Sequence, residues 1–150
     1  MNEGATNPRA REIWARTKVH VWPERYVLAS LPLARLADAS ALVAMRAVGF
    51  AALIVERDEV SVTVVDEAWA ASGLALDARV SGPFRAITLD TDVDLDVCGY
   101  LAPAATLLAE AGVALVPQCA FLKDHLLVHD EKLRIAVSIL EEWIGACQRL

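Results

Sequence analysis

The sequence predicts an α+β fold of the ferredoxin-like kind: two βαββα(β) units with antiparallel sheets and helices on one face. The first observation is alternation. Strand-length apolar runs such as VSVTVV at 60–65 are interleaved with longer segments whose apolar residues recur every three or four positions. The second is repetition. In the first half YVLASLP, a helical segment, Gly49, FAALIVERDEVSVTVV and Asp66-Glu67 follow one another. In the second half the same order runs FRAITLD, a helical segment, Gly112, VALVPQCAFLKDHLLVH and Asp130-Glu131. Each half is therefore a β-α-β-β-α unit of roughly 60 residues, a split βαβ that makes an antiparallel sheet. The expected division is a flexible tail over 1–17, a first unit over 18–80 and a second over 82–150.

The elements follow from local patterns. Residues 1–11 are polar and hold Gly, Asn and Pro, so they read as tail, with a helical turn added over 12–18. Val19–Trp22 and Tyr26–Leu31 read as two short strands, stopped by Pro23 and Pro32, because proline cannot donate to a ladder. Leu36, Ala39, Val43 and Ala47 share one helical face, and Gly49 sits where the helix should stop. Phe50–Val55 and Val60–Val65 are joined by the charged turn ERDE and predict a hairpin. Asp66-Glu67 opens a short helix ending near Gly73. Residues 74–81 read as a linker and Gly82-Pro83 as a turn, before the strand Phe84–Leu89. Leu101–Ala111 is a helix with Pro103 in its first turn and Gly112 as its stop. Val113–Phe121 and His125–His129 are strands. Asp130 then caps a last helix whose stripe is Leu133, Val137, Leu140 and Ile144. That second unit lacks a final strand, and Val19–Trp22 is expected to fill the vacant edge.

Composition bounds the function. With 56% hydrophobic and 23% charged residues, the 150-residue chain can bury a core. Its apolar runs are broken within about ten residues, short of the ~20 a membrane helix needs. The N-terminal stretch has charges but no apolar segment behind them, so a cytoplasmic location is expected. The net charge is −6 and no basic cluster exceeds two neighbours, which disfavours nucleic acid as partner. Cys98, Cys119 and Cys147 are odd in number, far apart and set among apolar residues, as buried thiols are.

Catalytic and metal motifs fail on geometry. His125 and His129 have the H-x-x-x-H spacing of a helical metal site, but on a strand four steps place them ~13 Å apart, too far to share a zinc ion. Asp90, Asp92, Asp94 and Asp96 resemble the start of a calcium loop, yet Leu95 and Leu101 stand where its Gly and Glu belong. A solvated acidic turn favouring the dipole of the following helix accounts for them better. No nucleophile elbow, dinucleotide loop or P-loop occurs, so no cofactor is implied. Cys119 would serve as a nucleophile only with a positive neighbour, and Lys123 is the near one in sequence. Asp124 has two readings: a turn residue bonding its own backbone, or a carboxylate set to pair with a cationic ligand group.

With these residues in view, the chain resembles tandem ACT domains, small-molecule-binding regulatory modules attached to amino-acid metabolism. Residues 82–140 are the better match, through L-A-E-A-G-V, a Gly-led loop into the first helix, an aromatic turn ending in Asp, and L-V before an acidic helix start. They resemble the ACT units of short stand-alone bacterial proteins and of the cytosolic arginine sensor of animals. The resemblance implies an amino-acid ligand held at an interface between ACT units. The loop Cys98, Gly99, Tyr100 and Leu101 would offer N–H groups to its carboxylate, as helix N-termini do. Cys119, Ala120 and Phe121 would supply backbone and an aromatic wall, and Asp124 would accept the cationic end. The family's common turn S-T-Y-x-T-D-Y is here C-A-F-L-K-D-H, without the hydroxyls, and Val97 stands where the arginine sensor has an acid.

The expectation is thus a non-enzymatic, cytoplasmic, homodimeric amino-acid-binding regulator with no metal and no cofactor. Two alternatives stand beside it: a protein-interaction module that kept the fold without the ligand, and a thiol-dependent enzyme using Cys119.

Overall fold

The computed structural model describes residues 7–45 and 49–149. The chain forms two compact units, Trp22–Ala86 on one hand and Met1–Val21 with Ile87–Leu150 on the other. The strands are β1 (Lys18–Leu31), β2 (Ala52–Val55), β3 (Val60–Val65), β4 (Arg79–Asp90), β5 (Leu115–Cys119) and β6 (Asp124–His129). The helices are α1 (Pro8–Arg16), α2 (Leu36–Ala44), α3 (Asp66–Ala71), α4 (Ala102–Glu110) and α5 (Leu133–Gln148). In the unit of residues 22–86 the strand order is β2-β3-β1-β4. In the other it is β5-β6-β4-β1. Both are the second-third-first-fourth order of a split βαβ fold. In the second case the fourth strand is the start of β1, which takes the place expected of Val19–Trp22.

The hairpins follow the sequence pattern. Val55 faces Val60 across the 56–59 turn, and β3 pairs antiparallel with β1 from Tyr26↔Val65 to Leu31↔Val60. In the second unit Cys119 faces Asp124, and Leu115 faces Val128. Alternation then sends Leu126 and Val128 into the core with Ile87 and Leu89, beneath Leu108 and Leu140 of the helices. On α5 the fully covered face is Ala136, Leu140, Ile144 and Cys147, while Glu141 and Glu142 face solvent. Leu133 and Val137 flank that face rather than centre it. Ala47, the last member of the stripe expected on α2, lies outside the described residues.

Several expectations are corrected. Residues 8–16 are no tail: they form α1, with Ala10, Ile13 and Trp14 buried in the core of the second unit. Asn7 accepts a hydrogen bond from the Arg9 N–H and Pro8 occupies the first turn, a helix start built from the two residues that looked like loop. The boundaries of the units move accordingly, because α1 and the start of β1 join residues 87–150. Pro23 does not end a strand but sits inside β1, exposed. Residues 79–83 are strand rather than linker and turn, and the Gly82-Pro83 peptide is cis. Only glycine fits there: at φ 145° a Cβ on Gly82 would lie 2.9 Å from the Tyr26 carbonyl oxygen. Asp130 opens a 3-10 turn over 130–132 ahead of α5 rather than capping it directly. Among the described residues no helix is long and apolar enough to cross a membrane.

Trp14 is fully buried and its indole N–H donates to the Tyr100 carbonyl at 2.7 Å. Trp14→Ala should cost about 3–5 kcal/mol, and Trp14→Phe should cost less. Urea unfolding measures both. A change within about 0.5 kcal/mol for the alanine variant would mean that α1 does not belong to the folded unit.

Candidate functional site

Two segments of the second unit meet around an open cavity of about 330 Å3. One is the loop that leaves β4 and enters α4; the other is the turn between β5 and β6. Gly99, Tyr100, Leu101, Cys119, Ala120, Phe121 and Asp124, each expected from the sequence, line this one space. Cys98 does not line it and is exposed. Val93, Asp94, Leu95, Val97, Ala102, Leu122 and Lys123 complete the wall.

The loop is built to end in a helix. Gly99 takes φ 82°, a left-handed conformation that side chains disfavour, and the chain then turns into α4. The first-turn N–H groups of a helix have no acceptor of their own, and Pro103 at the second position carries none. Leu101 and Ala102, where α4 begins, line the cavity. Tyr100 lines the cavity and is almost wholly buried. It stacks on Trp14 at 4.8 Å, and its hydroxyl lies 2.8 Å from Thr17 Oγ1. Burial pushes this phenol up to about 12, so it is a neutral anchor.

The turn is held from outside. The Val93 N–H donates to the Leu122 carbonyl at 2.9 Å, and the Ala120 N–H to the Lys123 carbonyl at 2.9 Å. Lys123 Nζ lies 2.9 Å from both Asp90 and Asp92. Arg9 reaches Asp94 at 2.7 Å and Asp96 at 3.3 Å. The four aspartates therefore work as ion-pair partners of α1 and of the turn, not as dipole partners of α4, whose first turn holds no acid. Sequence reasoning missed Asp94, Leu95 and Lys123 as wall residues. The i, i+2 spacing of the aspartates was visible, but nothing local said which cations they would meet.

The thiols differ from expectation. Cys147 is buried, whereas Cys98 and Cys119 are exposed. Cys119 stands across the ladder from Asp124 and shares a hydrogen bond with its carboxylate. That bond, with some burial and the carboxylate charge, pushes the thiol up to about 11. A nucleophilic cysteine needs the opposite shift, because the thiolate is the reactive form. His125 and His129 both lie on β6, the strand placement that separates them. His125 is buried, with its Nδ1 2.8 Å from Thr88 Oγ1, and burial pulls its pKa down.

The corresponding place in the first unit is also a cavity, of about 430 Å3, between the end of β1 and the β2–β3 turn. Its wall is charged: Glu56, Asp58, Glu59, Asp77 and Arg79 with Ser30, Leu31 and Pro32. Glu59 is held below its usual carboxylate range by hydrogen bonds from Ser30 and Ser61.

Solved structures share this architecture. Aspartokinase alpha and beta subunits superpose with a TM-score of 0.68 at 12% identity, covering 86% of this chain and 98% of theirs. The regulatory subunit of aspartate kinase from Thermus thermophilus, in its ligand-free form, gives 0.62 at 11% identity, covering 85% and 97%. The chain has an ACT-type fold. At such identities the likeness carries the fold alone. A Vibrio cholerae protein of unknown function, described as a possible transport protein, gives a TM-score of 0.71 at 25% identity, covering 89% and 94%. No protein-family model matches the chain, and no curated protein does.

Two measurements check these assignments. In a Cys98→Ser background, alkylation of Cys119 at pH 8 should be slow, and Asp124→Asn should speed it by roughly a hundredfold as the thiol returns towards ~8.5. Equal rates would show that Asp124 does not control the thiol. His125 titrates lower when folded than when unfolded, so the unfolded chain takes up its proton first as pH falls below ~6.5. Its contribution to stability is therefore full above that pH and declines on acidification. His125→Asn should flatten the loss of unfolding free energy between pH 7 and pH 5; an unchanged slope would assign the loss elsewhere.

Proposed function

We propose that this protein is a non-enzymatic, cytoplasmic regulatory module of tandem ACT type that binds a free amino acid in the cavity of its second half. The observation that carries this reading is the joining of opposite polarities in one small space. The start of α4, where helical N–H groups lack an acceptor within the helix, stands at one wall, and Asp124 at another. An amino acid carries the complementary pair, a carboxylate for the helix end and an ammonium for Asp124. The regulatory subunit of aspartate kinase, with which the chain shares its fold, supports a regulatory role by analogy of architecture.

The molecule acts as a homodimer in this reading. In the second unit β5 is a terminal strand, and the cavity beside its turn is open, with Phe121 75% and Leu95 76% exposed. A second copy would cover that apolar rim and place the ligand where two second halves meet.

Thermal-shift measurement with each of the twenty amino acids tests the proposal. A true ligand at ~100 times its Kd should add ~2.7 kcal/mol of stability, and Asp124→Ala should remove the shift. If no amino acid shifts the transition, the binding reading falls and the protein-interaction alternative takes its place.

A further inference from the structure

The charges in the cavity wall bear on which amino acid it would take. We infer that the site selects an amino acid with an apolar side chain, its ammonium alone being held by charge, at Asp124. This rests on the amino-acid reading above and narrows it to a chemical class.

Among the described residues three charged ones line the cavity: Asp94, Lys123 and Asp124. Two are already engaged. Asp94 lies 2.7 Å from the Arg9 guanidinium, and Lys123 is shared between Asp90 and Asp92 at 2.9 Å each. Asp124 hydrogen-bonds the neutral Cys119 thiol rather than a cation. The wall thus offers one uncommitted charge, enough for one ligand ammonium. Arginine or lysine brings a second cation, which would have to displace Arg9 from Asp94 beside the Lys123 ammonium. Glutamate or aspartate brings a second anion, which would face Asp94 and Asp124 and require Lys123 to leave two carboxylates. Each exchange only trades one ion pair for another, so a charged side chain gains no net pair to offset the loss of its own hydration. The remaining wall is apolar, with Val93, Leu95, Val97, Leu101, Phe121 and Leu122, and it rewards burial of an apolar group. At about 330 Å3 the space is near the small end of the ~300–1,000 Å3 found for ligand sites, suited to a single amino acid.

Isothermal titration of the intact protein with L-leucine, L-methionine and L-phenylalanine, against L-arginine, L-lysine and L-glutamate, tests this. At least one apolar amino acid should bind roughly tenfold tighter than any charged one. A charged amino acid binding as tightly as the best apolar one would overturn the selectivity and leave the amino-acid site standing. No binding by any of these six would overturn the selectivity, and no thermal shift with any of the twenty would overturn the amino-acid site as well. Leu95→Asp tests the charge argument directly, because position 95 is 76% exposed and tolerates a carboxylate without unfolding the chain. A second free carboxylate in the wall should move the arginine-to-leucine affinity ratio towards arginine by roughly tenfold. An unchanged ratio would overturn the inference.

Discussion

Tyr100 is the residue on which the second unit's site depends. Its ring is clamped under Trp14, its carbonyl accepts the indole N–H, and its hydroxyl meets Thr17. A buried aromatic with its polar handles satisfied has little freedom to move. Because Gly99 precedes it and α4 starts two residues later, this clamp sets where the free N–H groups of the helix point. The N-terminal helix is therefore part of the site's support. Without α1, Tyr100 would lose its cover and the loop its anchor.

The opposite wall depends on a cross-strand pair. Register places Asp124 across from Cys119 at the end of the β5–β6 ladder, so the carboxylate emerges beside the turn rather than within the sheet. Lys123 ties that turn to the aspartates at the end of β4, and Arg9 ties the following loop to α1. These ion pairs are exposed, and each such pair contributes little to stability, about 0–1 kcal/mol. Their consequence is positional: they pair Lys123 and Arg9 with the aspartates of the loop rather than with Asp124.

The two halves repeat a fold and diverge in chemistry. The cavity of the first unit is walled by carboxylates and Arg79, while that of the second is mostly apolar with Asp124 at its edge. The difference was legible in the turns, ERDE against AFLK. Seven of the eight residues that the resemblance implied line one space, because the loop leaving β4 and the β5–β6 turn lie at the same end of the second unit. The sequence reading missed the exposed Leu95, and also Asp94 and Lys123, whose roles depend on partners distant in sequence. It also took two exposed cysteines for core, since apolar neighbours in sequence do not reveal that Cys98 lies in a loop and Cys119 at the end of a strand.

What the sequence determined by itself is the local geometry: alternation, helical period and turn chemistry are properties of neighbouring residues. These set the hairpins, the helices and the doubled βαββα order, and strand spacing alone separated His125 from His129. What only the tertiary structure decided is assignment between distant segments. Residues 8–16 looked like tail because a nine-residue helix is not stable alone. They are helical because Trp14 and Ile13 are buried among residues up to 134 positions away, such as Cys147. In the same way, the fourth strand of the second unit comes from the far end of the chain. There the repeat itself pointed to the answer: a unit one strand short needs a partner for β4, Val19–Trp22 was the unassigned strand, and the structure supplies the ladder from the start of β1.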